Sequence, residues 1–133
     1  MVRGLAHVCF VVGDLKRTEA FYCHVLGLKA AFEFRNEEGR RTGIYVKAGA
    51  RSFLEFFEGS PAALPAPGSF RHVCLEVDNV QETVRHLREQ GIEVGDVTLG
   101  KDRSYQAWLK DPDGNSIELH QYTPESWQSP HVQ

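Results

Sequence analysis

Two pairs of metal-ligating residue types recur at nearly the same spacing in the two halves of this 133-residue chain. His7 is followed 48 residues later by Glu55, and His72 is followed 46 residues later by Glu118. Each histidine opens the tripeptide His-Val-Cys, and the two tripeptides lie 65 residues apart. Imidazole nitrogens and carboxylate oxygens are ligands of divalent transition metals. The spacing therefore predicts one divalent ion at a centre to which both halves contribute.

Both glutamates stand in apolar segments that have the composition of strands. Glu55 lies within Phe-Leu-Glu-Phe-Phe, and Glu118 lies within Ser-Ile-Glu-Leu-His. A carboxylate in such surroundings is costly unless it is paired, protonated or bound to a cation. A single strand histidine is more often a hydrogen-bonded core residue, and a single strand glutamate more often faces solvent. The recurrence of the pair favours the metal centre, in which two neutral imidazoles and two carboxylates would neutralise a 2+ ion and leave positions for water or substrate.

The elements that position these residues repeat with them. The first half is predicted to run strand, helix and three strands, with strands over 5–12, 29–35, 42–48 and 51–58. Asp14 is placed to cap its helix and Gly27 to end it. The second half repeats the order, with a helix capped by Asp78 or Asn79 and ended by Gly91. Its strands are predicted over 72–77, 92–99, 105–110 and 116–122.

The fold class is therefore predicted to be α+β, with two tandem βαβββ modules in one domain over residues 1–133. Each open sheet leaves one apolar face uncovered, so we expect the modules to form a curved, half-open barrel with the helices outside. Residues 59–70, rich in Pro and Gly, are predicted to link a first module of about 4–58 to a second of about 71–122. The polar, Pro-interrupted residues 123–133 predict a loose tail or a partner-docking arm.

The bulk composition is that of an ordinary globular protein, with 41% hydrophobic and 25% charged residues. A net charge of -3 without a dense Lys/Arg run gives little support to nucleic-acid binding. No stretch approaches the roughly 18 apolar residues of a membrane span, and the N-terminus lacks a signal-peptide pattern. We therefore expect a cytoplasmic protein without a membrane partner. Three cysteines, an odd number, predict reduced thiols rather than disulfides.

The chain resembles the vicinal oxygen chelate superfamily, which includes glyoxalase I, extradiol dioxygenases, methylmalonyl-CoA epimerase, fosfomycin-resistance enzymes and bleomycin-binding proteins. The resemblance covers residues 4–122 and rests on three segments: His7-Val-Cys-Phe-Val-Val-Gly-Asp-Leu15, Phe21-Tyr22 with Leu26-Gly27-Leu28, and Asp111-Pro-Asp-Gly-Asn-Ser-Ile-Glu118-Leu. It implies paired βαβββ modules that form a metal cup, and a homodimer. It also implies one ion of Ni, Co, Zn, Mn or Fe in a site that looks like the complete glyoxalase I ligand set: His7, Glu55, His72 and Glu118.

This resemblance implies a proton-transfer isomerase or lyase of the glyoxalase I type, acting on a small molecule chelated through vicinal oxygens. Glu118 or Glu55 is the predicted catalytic base. An extradiol-type dioxygenase is the second hypothesis, in which Fe(II) would use His7, His72 and Glu118. A metal-free drug-binding protein of the bleomycin-sequestering kind is the third. Val11 stands where glutathione-dependent glyoxalases usually carry an arginine, so the resemblance does not extend to that partner of the glutathione carboxylate.

Several further residues are candidates for the site. Four of them follow the flexible pair Leu99-Gly100: Lys101, Arg103, Tyr105 and Trp108. They are predicted to hold an anionic or aromatic substrate. The alternative is that they form a solvated loop and a core tryptophan. Strand alternation places Cys9 on the face of His7 and Cys74 on the face of His72, where buried small hydrophobes are favoured over ligands. His120 shares the face of Glu118 and is a candidate hydrogen-bond donor to a metal ligand or a general base, with an exposed strand end as the alternative.

Overall fold

The structure, a computed structural model, describes residues 1, 4–60 and 70–132 of the chain. The chain divides into two compact units, Met1–Gly68 and Ser69–Gln133. Each unit contains one four-stranded sheet of mixed direction, which confirms the α+β class. Most of the predicted linker, 61–69, lies outside the described residues. No helix in the described part of the chain is long and apolar enough to span a membrane.

The first unit has the predicted element order. It consists of β1 (His7–Val12), α1 (Leu15–Glu19), a π-helical turn (Ala20–Val25), β2 (Lys29–Arg35), β3 (Arg41–Lys47) and β4 (Phe53–Glu58). Its sheet runs in the order β1-β4-β3-β2, with β1 parallel to β4 and the other pairs antiparallel.

Local sequence signals explain where the first helical segment begins and ends. The Asp14 carboxylate accepts a hydrogen bond from the backbone N–H of Arg17 at 3.1 Å, so it caps α1 as predicted. The segment was expected to be one regular α-helix, but it widens after Glu19, where the N–H of Leu26 donates to the carbonyl of Phe21. Gly27, at φ 77, then reverses the chain in the left-handed region.

One face of the first sheet is the hydrophobic core of its unit. Alternate strand residues are buried there together with the helical Tyr22: Phe10, Val12, Ile44, Val46, Leu54 and Phe56. The ring of Tyr22 packs 4.6 Å from that of Phe56, and each such side chain contributes about 1.5–3 kcal/mol by burial. The alternation leaves His7 and Glu55 on the opposite face.

The second unit repeats the topology of the first. It consists of β5 (Val73–Glu76), α2 (Val80–Glu89), β6 (Thr98–Leu99), β7 (Tyr105–Lys110) and β8 (Ser116–Gln121), with a final 3-10 turn at Ser129–His131. Its sheet runs β5-β8-β7-β6, again with the first and last strands parallel. Asn79, rather than Asp78, caps α2 by accepting from the N–H of Glu82. The repeated strand order confirms that the chain contains two copies of one unit.

The predicted strand over 92–99 was wrong for most of its length. Only Val94 forms a bridge, to Leu109, and β6 has two residues. The guanidinium of Arg88 explains the interruption, because it donates to the carbonyl of Val94 at 2.8 Å and to Asp96 at 2.9 Å. The Arg88 side chain thus occupies a backbone carbonyl that a longer β-strand would have used for its own hydrogen bonds.

The C-terminal segment, 123–131, is not the loose tail that its composition predicted. It folds onto the 100–104 loop, where the N–H of Trp127 donates to the carbonyl of Asp102 at 2.9 Å. The hydroxyl of Thr123 donates to the carbonyl of Arg103, and the buried hydroxyls of Ser104 and Ser126 lie 2.8 Å apart. Short hydroxyl side chains satisfy the backbone of this loop and fix the segment without an apolar core of its own.

Candidate metal centre

The first unit brings His7 and Glu55 together on the face opposite its core. Cys9 and Glu55 are register partners across β1 and β4, so His7 lies two residues away along the same face. His7 Nε2 lies 3.9 Å from Glu55 Oε1, and the Glu55 side chain is only 14% exposed. On the other side of its ring, His7 Nδ1 is hydrogen-bonded to the hydroxyl of Tyr45 at 3.0 Å.

The second unit builds the same arrangement around His72 and Glu118. Cys74 and Glu118 are register partners across β5 and β8. His72 Nε2 lies 3.1 Å from Glu118 Oε2, and the Glu118 side chain is 12% exposed. The indole of Trp108 packs edge-on against the His72 ring with centroids 4.7 Å apart.

The neighbours of each pair also match. Tyr45 is the cross-strand partner of Glu55, and Trp108 is the cross-strand partner of Glu118. Each aromatic residue precedes its glutamate by ten positions and contacts the ring of its histidine. This spacing was a usable sequence signal for Tyr45, which the sequence analysis did not identify as a site residue.

The donor sets fit a divalent ion. Ligand atoms about 2.0–2.2 Å from one metal lie about 3.0–3.5 Å from each other at tetrahedral or octahedral angles. The 3.1 Å between His72 and Glu118 falls in that range, and the 3.9 Å between His7 and Glu55 needs only a small side-chain shift. Within the described part of the chain, the ion-pair partners of both carboxylates are histidines rather than Lys or Arg. The two carboxylates thus keep a charge that a cation would neutralise.

Cys9 and Cys74 border the two glutamates but are exposed rather than buried, contrary to the sequence-based expectation. The surrounding protein partly desolvates each sulfur. The Cys9 thiol is hydrogen-bonded to Glu55 and the Cys74 thiol to Glu118. Desolvation first, and then the glutamate, raises the pKa of the Cys9 thiol to about 11 and that of Cys74 to about 12. Both sulfurs are therefore protonated near neutral pH while no cation is bound.

His120 is buried, which excludes an exposed strand end. Its Nδ1 lies 3.1 Å from Glu118 Oε1, within hydrogen-bonding distance of the predicted ligand. Its Nε2 lies 3.7 Å from Asp102 Oδ2, and Asp102 is a further residue that the sequence analysis did not identify. One donor atom each from Cys74, Glu118 and His120 lie within 4.8 Å of one another.

The four predicted substrate residues are not brought together. Trp108 lies beside the His72–Glu118 pair and is 39% exposed, so it is not a core tryptophan. Lys101 and Arg103 are exposed in the 100–104 loop, where Arg103 adopts φ 66. Tyr105 is exposed at the start of β7, and strand alternation places it on the opposite face from Trp108.

The face of the first sheet that carries Glu55 is rich in aromatic rings. Phe32 and Tyr45 are stacked with centroids 4.6 Å apart, and Phe32 is 52% exposed. Phe34, Phe53 and Phe57 extend this aromatic surface along the sheet. The surface can bind a flat apolar group beside the carboxylate.

Residues 4–119 match the model of the Glyoxalase/Bleomycin resistance protein/Dioxygenase superfamily, and the chain belongs to that family. It is 32% identical to the lactoylglutathione lyase of Salmonella typhimurium over 123 residues, covering 86% of this chain and 90% of the lyase. Among solved structures it is similar to TnmS3, an antibiotic binding protein from Streptomyces sp. CB03234, with a TM-score of 0.75 and 27% identity over 92% of this chain and 98% of that one. A glyoxalase family protein from Enterococcus faecalis gives a TM-score of 0.72 and 27% identity, with 89% and 97% covered.

Proposed function

We propose that this protein is a divalent-metal-dependent isomerase or lyase of the glyoxalase I type, which transfers a proton on a small substrate chelated through vicinal oxygens. The observation that supports the proposal is the duplicated pair of His7 with Glu55 and His72 with Glu118, each at the same register of its own sheet. The sequence similarity to a lactoylglutathione lyase supports the same class of reaction. We propose further that the protein is a cytoplasmic homodimer.

The two pairs would together hold one ion. They would come either from one chain or from two chains of the dimer. The ion, of Ni, Co, Zn, Mn or Fe, would acidify the C–H next to the chelating oxygens and stabilise the negative charge that develops on them. Glu118 or Glu55 would take the proton from one carbon and return it to the next. Both carboxylates are partly shielded from water, which favours such a transfer over exchange with solvent.

The protein's own side chains would orient this chemistry. Tyr45 holds Nδ1 of His7, which leaves Nε2 directed at Glu55. Trp108 restricts the ring of His72 in the same sense and offers an exposed indole to the substrate. Lys101, Arg103 and Tyr105 remain proposed substrate contacts, with charge or aromatic character suited to an anionic or aromatic substrate.

The test is turnover of hemithioacetals formed from methylglyoxal and several thiols, with glutathione as one of them. The metal-loaded wild type is expected to convert at least one of these substrates, and Glu118→Gln or Glu55→Gln to lose about 10²–10⁴-fold in kcat if the exchanged residue is the base. Because Val11 replaces the usual arginine, a thiol without the glutathione carboxylates is expected to serve as well as glutathione. Full metal loading without turnover of any thiol adduct would contradict the proposal, and unchanged metal content in Glu55→Gln would instead favour a three-ligand, dioxygenase-type centre.

A metal-free binding protein is a second candidate, favoured by the aromatic surface of the first unit. TnmS3, 27% identical to this chain, is an antibiotic binding protein, and the stacked rings of Phe32 and Tyr45 would suit a flat ligand. The cost of two shielded carboxylates whose ion-pair partners among the described residues are histidines argues for the metal enzyme. Tight binding of a flat aromatic ligand by metal-free protein that takes up no metal would reverse this preference.

A further inference from the structure

We propose that His120 is a positioning residue of the metal centre, whose Nδ1–H holds one oxygen of Glu118 so that the other oxygen is presented beside His72. The inference rests on the proposed metal centre and adds a residue that the duplicated pairs do not contain. The C-terminal segment takes part, because it fixes Asp102 on the far side of the His120 ring.

The two oxygens of Glu118 have different partners. Oε2 lies 3.1 Å from His72 Nε2, and Oε1 lies 3.1 Å from His120 Nδ1. An ionised carboxylate only accepts hydrogen bonds, so the contact with His120 requires the proton on Nδ1. A carboxylate held at one oxygen cannot rotate freely about its last bond, and its second oxygen is therefore pre-oriented for an ion.

The opposite nitrogen of His120 faces a second carboxylate. Nε2 is buried, accepts or donates no hydrogen bond within the described part of the chain, and lies 3.7 Å from Asp102 Oδ2. The ring also packs edge-on against Tyr122 with centroids 4.9 Å apart. The His120 ring is thus confined by Glu118, Asp102 and Tyr122.

Asp102 is itself fixed by the C-terminal segment. The Gln128 side chain donates to Asp102 Oδ2 at 2.6 Å, and the N–H of Ser104 donates to Oδ1 at 3.1 Å. These hydrogen bonds, that of Gln128 first, hold the pKa of Asp102 below its usual value. An ionised Asp102 therefore connects the segment 123–131 to His120, and through it to Glu118.

The position equivalent to His120 in the first unit does not hold a hydrogen-bond donor. Phe57 stands two residues after Glu55, as His120 stands two residues after Glu118, and its ring cannot donate to a carboxylate. The His7–Glu55 pair is also the wider one, at 3.9 Å against 3.1 Å. His120 is thus a departure from the duplicated pattern, which gives Glu118 a contact that Glu55 lacks.

The test compares His120→Phe, which reproduces the first unit, with His120→Asn, whose side-chain nitrogen can still donate from the position of Nδ1. Metal-free protein would be titrated with Co²⁺ against a competing chelator, and the visible spectrum of the Co²⁺ complex recorded. We expect His120→Phe to weaken Co²⁺ binding about 10–100-fold, and His120→Asn to restore most of the loss. His86→Phe, which removes an exposed histidine of α2, is the control and should bind as wild type.

Gln128→Ala tests the connection from the C-terminal segment through Asp102 to His120 without changing His120. It therefore keeps the inference testable if the His120 variants fail to fold. It should weaken Co²⁺ binding measurably, whereas Trp127→Ala, which removes a 67% exposed side chain of the same segment, should not. Wild-type affinity in His120→Phe would overturn the inference and leave the proposed function intact, while failure of the wild type to bind Co²⁺ would overturn both. Equal weakening in His120→Phe and His120→Asn would show that a donor at the position of Nδ1 is not what matters, and would also overturn the inference.

Discussion

At the scale of single residues, each candidate histidine ligand contacts an aromatic residue at the equivalent position of its own unit. Tyr45 bonds the Nδ1 of His7, and Trp108 packs on the ring of His72. Partners of this kind fix the tautomer and direction of a metal-binding imidazole. The two histidines are therefore orientated before any ion arrives, although by different means.

Tyr45→Phe should weaken metal binding while leaving the fold unchanged. The variant keeps the ring that stacks on Phe32 but removes the hydroxyl 3.0 Å from His7 Nδ1, so the imidazole loses the hydrogen bond at that nitrogen. We expect metal affinity to fall by about 10-fold, at the lower end of the range for partners of metal ligands. Chelator competition with Co²⁺ or Zn²⁺ measures the change.

Tyr105→Phe is the matched control for that experiment. Tyr105 is exposed on the opposite face of the second sheet, so loss of its hydroxyl should leave the metal affinity unchanged. Equal affinity of wild type and Tyr45→Phe would show that the hydroxyl does not position His7.

The two His–Glu pairs could be recognised in the sequence because they are duplicated, and their neighbours were harder to recognise. His7, Glu55, His72 and Glu118 repeat both residue type and near-equal spacing, whereas Tyr45 and Trp108 repeat their spacing but differ in residue type. Asp102 gave no signal, because it reaches His120 from a loop whose path depends on tertiary hydrogen bonds. Exposure of Cys9 and Cys74 was also missed, since alternation gives the face of a strand residue but not what covers that face.

At the scale of elements, the parallel pairing of first and last strands positions each His–Glu pair. This pairing sets Cys9 beside Glu55 and Cys74 beside Glu118, in the same register in both sheets. A slip of one residue would turn the glutamate into the core. The apolar residues on either side of each glutamate, such as Leu54 and Phe56, are buried on the opposite face and prevent that slip.

Gly43→Ala should destabilise the first sheet. A Cβ at this position would lie 2.6 Å from Cδ1 of Phe57 and 3.0 Å from the carbonyl oxygen of Phe56. Phe57 would have to move on the face that carries Glu55, and overpacking of this kind costs about 1–3 kcal/mol. The free energy of unfolding in urea, compared with that of wild type, measures the cost.

Gly95→Ala provides the comparison in the second unit. Its added Cβ would meet its nearest neighbour, the carbonyl oxygen of Trp108, at an ordinary 3.5 Å, so a change within about 0.5 kcal/mol is expected. Equal stability of Gly43→Ala and wild type would mean that Phe57 yields without cost.

Element order was predictable because hydrophobic alternation, capping residues and glycine stops all agreed. The exceptions are segments in which side chains take over backbone hydrogen bonds. Arg88 interrupts the predicted strand over 92–99, and Thr123 and Ser126 fix a segment whose composition predicted a loose tail. Composition indicates the polarity of such segments, but the partner of each donor is a tertiary property.

At the scale of the whole molecule, the duplication is the feature on which the proposed chemistry rests. Each unit contributes one of the duplicated pairs, His7 with Glu55 or His72 with Glu118, so the proposed four-ligand ion would need both kinds of unit. The family to which the chain belongs is named for glyoxalases, bleomycin resistance proteins and dioxygenases, so membership does not by itself select the reaction. The proposal of a metal enzyme rests instead on the four-residue donor set, because two shielded carboxylates are costly to keep without a cation.

The stoichiometry of metal binding tests this account most directly. Metal-free wild type, Glu55→Ala and Glu118→Ala would be titrated with Co²⁺ or Zn²⁺, and bound metal per chain determined by elemental analysis after removal of the excess. We expect one ion per chain in the wild type. Metal affinity should be lost in both variants, because both His–Glu pairs are proposed to bind the same ion. Two ions per chain, each abolished by only one of the substitutions, or no bound ion at all, would contradict the account.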